Sequence, residues 1–599
     1  VKSGFLITAR LKSTRLPRKL LLPVAGKPLI AYMIDRIRAI ADIDTIVICT
    51  STNPEDDDLE QLAAELDVAC FRGHEEDVLR RLYDAATEHG LDVALNVTAD
   101  CPLIDPGYAE RVLAHARETG ADLTRAFQLP HGAFCYALRT SAMARIIEAK
   151  DSETTEAWGP YFTDVGGFQV SDIEVDPEDC RPEFRLTVDY PEDLALITAI
   201  IEALHRDDKP FDTTEMIRFL DEHPELVALN QARVQAYQKR YLKQSTIQLK
   251  PSEEVASALI VGCGSIGQRH GRNLHSLGID NIAALRSGSG SHKNTTPPFL
   301  RQEFLDLKEA QAFAPDIVLV TNPTSLHLQT IDSLYEHTKA FFIEKPIDAS
   351  SRGVPELLAR VDRDSKVTFV GFNLQFHPVV REIERRLASD AIGEILSFQA
   401  QVGHWLPDWH PDEDHRQSYA ARKELGGGVT LTLAHEIHLA CALFGDVEEV
   451  TCRMPSFEAL PLPVDVRSDL MVRHRTGCIS QIHLDFVQRP LTRSGLIIGS
   501  LGTIRYDLAG GTFEVVTPEG GEQLDLSSSD PNESYLAEMQ TFLDCVRTRR
   551  KRHAHDLWQA AHTQAVIDAA FESARSLDWQ SIPEWARPHG IGYSIGVHR

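Results

Sequence analysis

The chain has 599 residues, room for roughly four domains at about 150 residues each. Its 43% hydrophobic and 25% charged residues are a globular balance, and no apolar stretch reaches the ~18 residues that a membrane-spanning helix needs. Sixty-one basic against 88 acidic residues give a net charge of -27, which repels nucleic acid and anionic membrane and leaves any basic cluster as a local anion site.

The first 200 residues alternate strand and helix signals. Phe5 to Thr8 is short and apolar, directly after Val1-Lys2-Ser3-Gly4 with no apolar leader region. Ile30 to Ile40 carries apolar residues at helical spacing, and Thr45 to Thr50 is a β-branched run. Asp77 to His89 predicts a helix, and Val93 to Thr98 a buried strand followed by Asp100. This alternation predicts a parallel sheet covered on both faces. Residues 205–254 are helical, polar and charged, and Pro251-Ser252-Glu253-Glu254 interrupts them, which predicts a helical tail and a linker. A second alternating run has strands at Ala258–Val261, Ile282–Leu285, Ile317–Val320 and Ala340–Ile343. Ser287–Ser291 and Asn294–Pro298 predict a mobile loop. After about residue 375 the strands lengthen and alternate, at 394–404, 451–453, 478–486, 495–500 and 512–517, before a helix at 534–547. That pattern predicts an open, mainly antiparallel sheet with helices on one face. The fold class is therefore α/β: a Rossmann-like nucleotide-binding domain over 1–230, a helical tail and linker over 231–254, a dinucleotide-binding Rossmann domain over 255–375 and an α+β domain over 376–599. Ten cysteines without paired spacing or a CxxC pair predict reduced thiols in the cytoplasm and no structural zinc.

Chemistry concentrates first in Ala9-Arg10-Leu11-Lys12-Ser13-Thr14-Arg15-Leu16-Pro17-Arg18-Lys19, five cations in ten residues after the first strand. Ligands of parallel α/β sheets bind at the carboxyl ends of strands, and cations there suit a triphosphate; the alternative is a solvated basic loop. The segment resembles the phosphate loop of the sugar cytidylyltransferases, the group of CMP-Kdo and CMP-sialate synthetases, most of all the spore-coat polysaccharide type. Three later segments resemble that family in order: Phe71 to Leu79, Asn96 to Ile104 and Arg185 to Leu194. The resemblance implies that Arg10, Ser13, Arg15, Lys19, Gly73 and Asp100 bind CTP, that Arg10 and Lys19 stabilise the transfer, and that Asp100 and Asp189 bind magnesium. Either aspartate is otherwise a helix cap. The variable sugar-recognition segment reads Pro130-His131-Gly132-Ala133-Phe134-Cys135-Tyr136, without the acidic residues that the spore-coat group tends to have.

Gly262-Cys263-Gly264-Ser265-Ile266-Gly267 follows a strand and opens a helix, the context in which G-x-G-x-x-G marks a dinucleotide site. The second strand ends Leu285-Arg286-Ser287, with no acid for a ribose 2′-hydroxyl. Arg286 and Ser287 there suit the 2′-phosphate of NADP over NAD; otherwise Arg286 stacks on adenine or points to solvent. Glu344-Lys345-Pro346, with Thr321 to His327, Gly371 to Pro378 and Gly426 to His438, resembles the glucose–fructose oxidoreductase and inositol dehydrogenase (Gfo/Idh/MocA) family. The resemblance implies that Asn322, Pro323, His327, Glu344 and Lys345 line the cofactor and that Lys345 and His435 handle the proton, His435 on an active-site helix. Thr432 and His438 stand where relatives have aspartate, and Glu436 is the replacement carboxylate expected. Together these readings predict a bifunctional enzyme of nucleotide-sugar and surface-glycan biosynthesis. It activates a sugar, sugar acid or sugar phosphate with CTP and oxidises or reduces a related sugar with NADP or NAD. Its partners are small molecules and a second copy of itself, as homodimer or homotetramer; the alternative is that one half is a degenerate binding or scaffolding module.

Overall fold

The computed structural model describes the chain except at residues 14, 207–208, 232, 235–236, 238–240, 242–244, 289–295, 410–413, 528–529 and 588–599. The loop expected at 287–291 and 294–298 and the helical tail and linker expected at 231–254 fall partly outside the described residues, and Thr14 of the phosphate-loop segment lies outside them. The chain divides into two compact units, Val1–Lys250 and Pro251–Arg599.

The front unit is built on a seven-stranded sheet in the order 69–73, 45–51, 3–8, 93–98, 136–139, 123–125, 170–172. Its centre is Ser3–Thr8, buried almost throughout and paired in parallel with both Thr45–Ser51 and Val93–Thr98. Near-continuous apolar strands of this kind require cover on both faces. Two core clusters supply it, one around Phe5, Ile7 and Ile48, the other around Leu6, Val47 and Cys49. The helix Val78–Glu88 starts where Asp77 accepts a hydrogen bond from the Arg80 N–H at 3.1 Å. The helix Pro106–Thr119 is capped by Asp105 and ends at Gly120 with φ 72°, the left-handed stop that glycine adopts without a Cβ clash.

The rear unit has two sheets. Six parallel strands run in the order 302–304, 281–285, 257–261, 317–320, 340–344, 367–371. A nine-stranded sheet follows, in the order 520–525, 512–517, 503–507, 492–499, 395–403, 479–485, 467–474, 447–453, 580–581. Only its pair Ile395–Gly403 with Ile479–Asp485 is parallel. Four of its strands escape the sequence reading: Arg467–His474, Thr503–Asp507, Gly520–Asp525 and the short Gln580–Ser581. Arg467–His474 alternates strictly, with Ser468, Leu470, Val472 and His474 buried and Met471 and Arg473 exposed, but two of its four core-facing residues are polar, which hides the period. The helix Leu557–Ser576 is also new; it is alanine-rich and buried on most sides, so it lacks the amphipathic stripe that marks a surface helix. No single described helix is long and apolar enough to cross a membrane.

The rear core holds several uncharged histidines. Burial pushes both His438 and His553 down to about 3. In the unfolded chain such rings take up protons near pH 6.5. Stability present at neutral pH is therefore lost as pH falls from about 6.5 toward 3, by roughly 1.4 kcal/mol per pH unit for each ring. Urea unfolding of the rear unit is expected to give a clearly lower midpoint at about pH 5 than at about pH 7; equal midpoints contradict the burial of neutral rings.

Candidate functional site

A cavity of about 500 Å³ opens at the carboxyl ends of the central strands of the front unit. Arg10, Lys12, Ser13, Arg15, Lys19, Asp100 and Asp189 all line it, so the phosphate-loop cations and both aspartates meet at one place. Lys19 is the hub: its Nζ donates to Asp100 Oδ2 at 2.6 Å, to the Val188 carbonyl at 2.6 Å and to Asp189 Oδ1 at 3.1 Å. Burial opposes the charged lysine, but the two carboxylates override it and hold Lys19 above its ordinary value. Burial likewise opposes the Asp100 carboxylate, and Lys19 holds it below the usual range. Arg15 donates to Asp189 at 2.9 Å, and Arg185 donates to the other oxygen of Asp189 at 2.9 Å.

Neither aspartate caps a helix. Asp105 caps the helix after Asp100, and Asp193 receives the Asp189 and Tyr190 amides at 2.9 Å each. The capping alternative for both residues is thereby excluded. Two carboxylates in a cavity open to solvent are a donor set that fits a hard, oxygen-seeking cation such as magnesium. Among the described residues no cluster of three or more His, Cys, Asp or Glu is gathered as a metal site.

Gly73 is not among the residues lining the cavity. A Cβ there would meet Phe71 at 2.7 Å and Arg81 at 3.1 Å, so its role is to let the strand end pack on Arg81. Glu76, His131 and Tyr136, from segments singled out in the sequence, also line the cavity, and so do Trp158, Tyr237 and Tyr241, which the sequence reading missed. Tyr237 and Tyr241 come from the stretch expected as tail and linker. Their only signal in the sequence is two aromatic residues four apart in a polar run.

In the rear unit the glycine-rich turn has the form a dinucleotide needs. Gly262 has φ 87°, and a Cβ there would lie 2.6 Å from the Asn322 backbone; a Cβ at Gly267 would meet the Gly262 carbonyl at 2.3 Å. At Gly264, by contrast, nothing lies within 4 Å. The helix Ser265–Ser276 begins at Gly264 with no side-chain cap, so the amides of Ser265 and Ile266 belong to an N-terminus open to an anion. Arg286 stands past the end of Asn281–Leu285 and pairs with Glu303 at 2.6 Å. It points neither to open solvent nor to an empty pocket.

His327 does not present a ring nitrogen to a cofactor: Nε2 meets the Asn322 carbonyl at 2.9 Å and Nδ1 the Pro346 carbonyl at 3.1 Å. It ties the Asn322-Pro323 segment to the Glu344-Lys345-Pro346 segment from behind. Glu344 meets His270 Nε2 at 2.7 Å; burial pushes its carboxyl up, and His270 more than offsets this. Lys345 Nζ donates to the Thr432 carbonyl at 2.6 Å. Burial lowers its affinity for a proton, Glu344 opposes this, and Arg493 lowers it further. His435 is buried and well below its ordinary value, by burial first and then by the Lys345 charge. Lys345, His435 and Arg493 thus form one electrostatic cluster.

The expected active-site helix is two pieces, Val429–Thr432 and His435–Phe444, and the stretch Lys423–Thr432 that ends in the first is bent by 51° from the second. Asp465 takes hydrogen bonds from the Thr430 amide and hydroxyl at 2.8 and 2.6 Å, holding the first turn. The break frees the Thr432 carbonyl, which Lys345 uses. Glu436 is no free carboxylate, since Arg493 Nε lies 2.8 Å away. His438 faces the core, stacked on Phe372 at 3.7 Å and bonded to Thr563 at 2.9 Å. Arg493, which no motif announces, is the cation that sequence reasoning missed here.

Comparison with known proteins agrees with this division. Residues 5–200 match the family model described as Cytidylyltransferase. Residues 256–372 match the Oxidoreductase family, NAD-binding Rossmann fold, and residues 380–505 the GFO/IDH/MocA C-terminal domain. The spore coat polysaccharide biosynthesis protein SpsF of Bacillus subtilis is 29% identical over 236 residues, covering 38% of this chain and 98% of that protein. The 3-deoxy-manno-octulosonate cytidylyltransferase of Brucella suis is 35% identical over 128 residues, 20% of this chain and 49% of that protein. Levoglucosan dehydrogenase, solved with NADH and L-sorbose, superposes with a TM-score of 0.51 at 17% identity, covering 55% of this chain and all of that one; that likeness is one of fold.

Proposed function

From the premise that one chain joins a cytidylyltransferase domain to the NAD-binding and C-terminal domains of a GFO/IDH/MocA oxidoreductase, we propose that both halves are catalytic. The front half transfers a cytidylyl group from CTP to a sugar, sugar acid or sugar phosphate; the rear half exchanges a hydride with a related sugar. The observation that carries the reading is the cavity where Arg10, Arg15 and Lys19 face Asp100 and Asp189. An acceptor hydroxyl or phosphate oxygen bonds to the α-phosphorus, the bridge to the β-phosphate breaks, and pyrophosphate leaves. Arg10, Arg15 and Lys19 hold the phosphates and meet the charge that gathers on their oxygens, so catalysis is positioning and electrostatic stabilisation. Asp100 and Asp189 would hold magnesium, which when bound neutralises phosphate charge. Pyrophosphate release from CTP, magnesium and a panel of sugar acids and sugar phosphates tests this; no release with any acceptor overturns it.

In the rear half the nicotinamide, when bound, gives or takes the hydride. Lys345, of lowered proton affinity, moves the proton of the substrate hydroxyl or carbonyl oxygen, and neutral His435 receives it or orients that oxygen. Arg493 keeps the site positive and so discourages Lys345 from staying protonated. We read the two activities as two steps toward a cytidine-activated sugar, and the uncovered face of the nine-stranded sheet as the contact of a homodimer or homotetramer.

The cofactor is read as NADP on account of Arg286 with Ser287. A 2′-phosphate would take Arg286 over from Glu303. Arg286→Ala is expected to weaken NADP by roughly 1.5–3 kcal/mol, the worth of a charge-assisted hydrogen bond, and to leave NAD nearly unchanged. Fluorescence titration with both reduced cofactors measures this, and equal loss for both removes Arg286 from 2′-phosphate recognition.

A further inference from the structure

We propose that the end of the front cavity formed by His131, Phe134, Tyr136, Trp158, Tyr237 and Tyr241 takes an uncharged, polyhydroxylated ring, so that the group attacking CTP is carried on a neutral sugar or cyclitol and not on a sugar acid. This rests on the cytidylyl-transfer reading. The rings form a nearly continuous wall: His131 to Tyr237 at 4.8 Å, His131 to Phe134 at 6.3 Å, Phe134 to Tyr136 at 5.4 Å, Tyr136 to Trp158 at 5.1 Å and Tyr237 to Tyr241 at 6.3 Å. Such faces pack on the C–H side of a pyranose or cyclitol, while phenol and indole edges meet hydroxyls.

The polar groups at this end are neutral. Burial raises the phenols of Tyr136 and Tyr237 and pushes Tyr241 up to about 12. Burial, and then Arg185, pushes His131 down to about 4. Neutral hydroxyl and imidazole groups match sugar hydroxyls, which both donate and accept.

Among the described residues the cation nearest these rings is Arg185. Arg185 lies over the Tyr237 ring at 4.6 Å, but it is held by Asp189 at 2.9 Å and by Asp193 at 3.3 Å. Arg10 pairs with Glu156 at 3.2 Å, Lys12 with Glu75 at 3.2 Å, Arg15 with Asp189 and Lys19 with Asp100, and Arg10, Arg15 and Lys19 are the cations read above as holding the phosphates. A ring carboxylate would meet at most the unpaired Nη1 of Arg185, on a guanidinium whose charge Asp189 and Asp193 already offset, so its burial costs more than that of a hydroxyl that keeps its hydrogen bonds.

The test uses the full chain with CTP and magnesium and compares 1-phosphates of neutral hexoses and cyclitol phosphates with 3-deoxy sugar acids. Neutral-ring acceptors are expected to give pyrophosphate with a kcat/KM at least about 100-fold above the sugar acids. Tyr241→Ala is expected to raise the KM for the acceptor about tenfold and leave the KM for CTP unchanged; Trp158→Phe, which preserves the fold, should give a smaller shift of the same kind. Preference for sugar acids overturns the inference and leaves cytidylyl transfer standing. A rise in the KM for CTP alone makes the aromatic end a cytosine site and also overturns it. Absence of both CTP binding and pyrophosphate release overturns the transfer reading itself.

Discussion

Lys345→Ala is expected to abolish turnover in the rear half, by roughly 10²- to 10⁴-fold, the usual worth of a positioned acid–base group, while cofactor affinity changes by no more than about twofold. The lysine reaches the Thr432 carbonyl at 2.6 Å across the break between the two helical pieces. Burial lowers its proton affinity, and Glu344 only partly opposes this, which brings an amine of ordinary value 10.5 toward the range where it can both give and take a proton. Removing the side chain leaves the glycine-rich turn and the open helix N-terminus intact, so titration of the reduced cofactor by fluorescence reports binding separately from turnover. Wild-type turnover in the variant would assign the proton to another group, with His435 next in line.

Asp100→Asn should reduce cytidylyl transfer by at least about three orders of magnitude, since a metal-binding and charge-pairing carboxylate is worth several kcal/mol in phosphoryl transfer. The substitution is nearly isosteric, and Lys19 retains Asp189 at 3.1 Å and the Val188 carbonyl at 2.6 Å. The thermal transition of the front unit and cofactor binding by the rear unit are therefore expected to be unchanged. Pyrophosphate release measured against magnesium concentration distinguishes the roles: a metal ligand shifts the magnesium dependence, whereas a mere partner of Lys19 does not. Full transfer activity would remove Asp100 from the metal site.

Both candidate sites were announced in the sequence by short contiguous segments. Arg10 to Lys19 and Gly262 to Gly267 are each a strand end turning into a loop, and their chemistry depends on local backbone and on side chains within ten residues. Such segments can be read without knowing where the rest of the chain goes. The parallel strands at the centres of the mixed seven-stranded sheet and of the six-stranded sheet were equally legible, because continuous apolar runs bounded by polar residues leave few alternatives. Arg467–His474 was not, since its core-facing Ser468 and His474 interrupt the period.

What the chain order could not reveal are partnerships between distant residues. His131 meets Tyr237 across 106 positions, and Arg493 meets Glu436 across 57. The same holds for direction: Glu436 and His438 stand two apart in one motif, yet the fold ties the first to Arg493 and stacks the second on Phe372. Composition, the central apolar strands and the two motif-bearing turns were determined by the sequence alone, because backbone periodicity and loop chemistry act over a few residues. Which carboxylates Lys19 holds, which histidine stays beside Lys345, and which aromatic rings wall the front cavity were decided only by tertiary packing. Burial and neighbouring charges together set the protonation of the titratable groups among them, and both depend on what the rest of the chain brings against them.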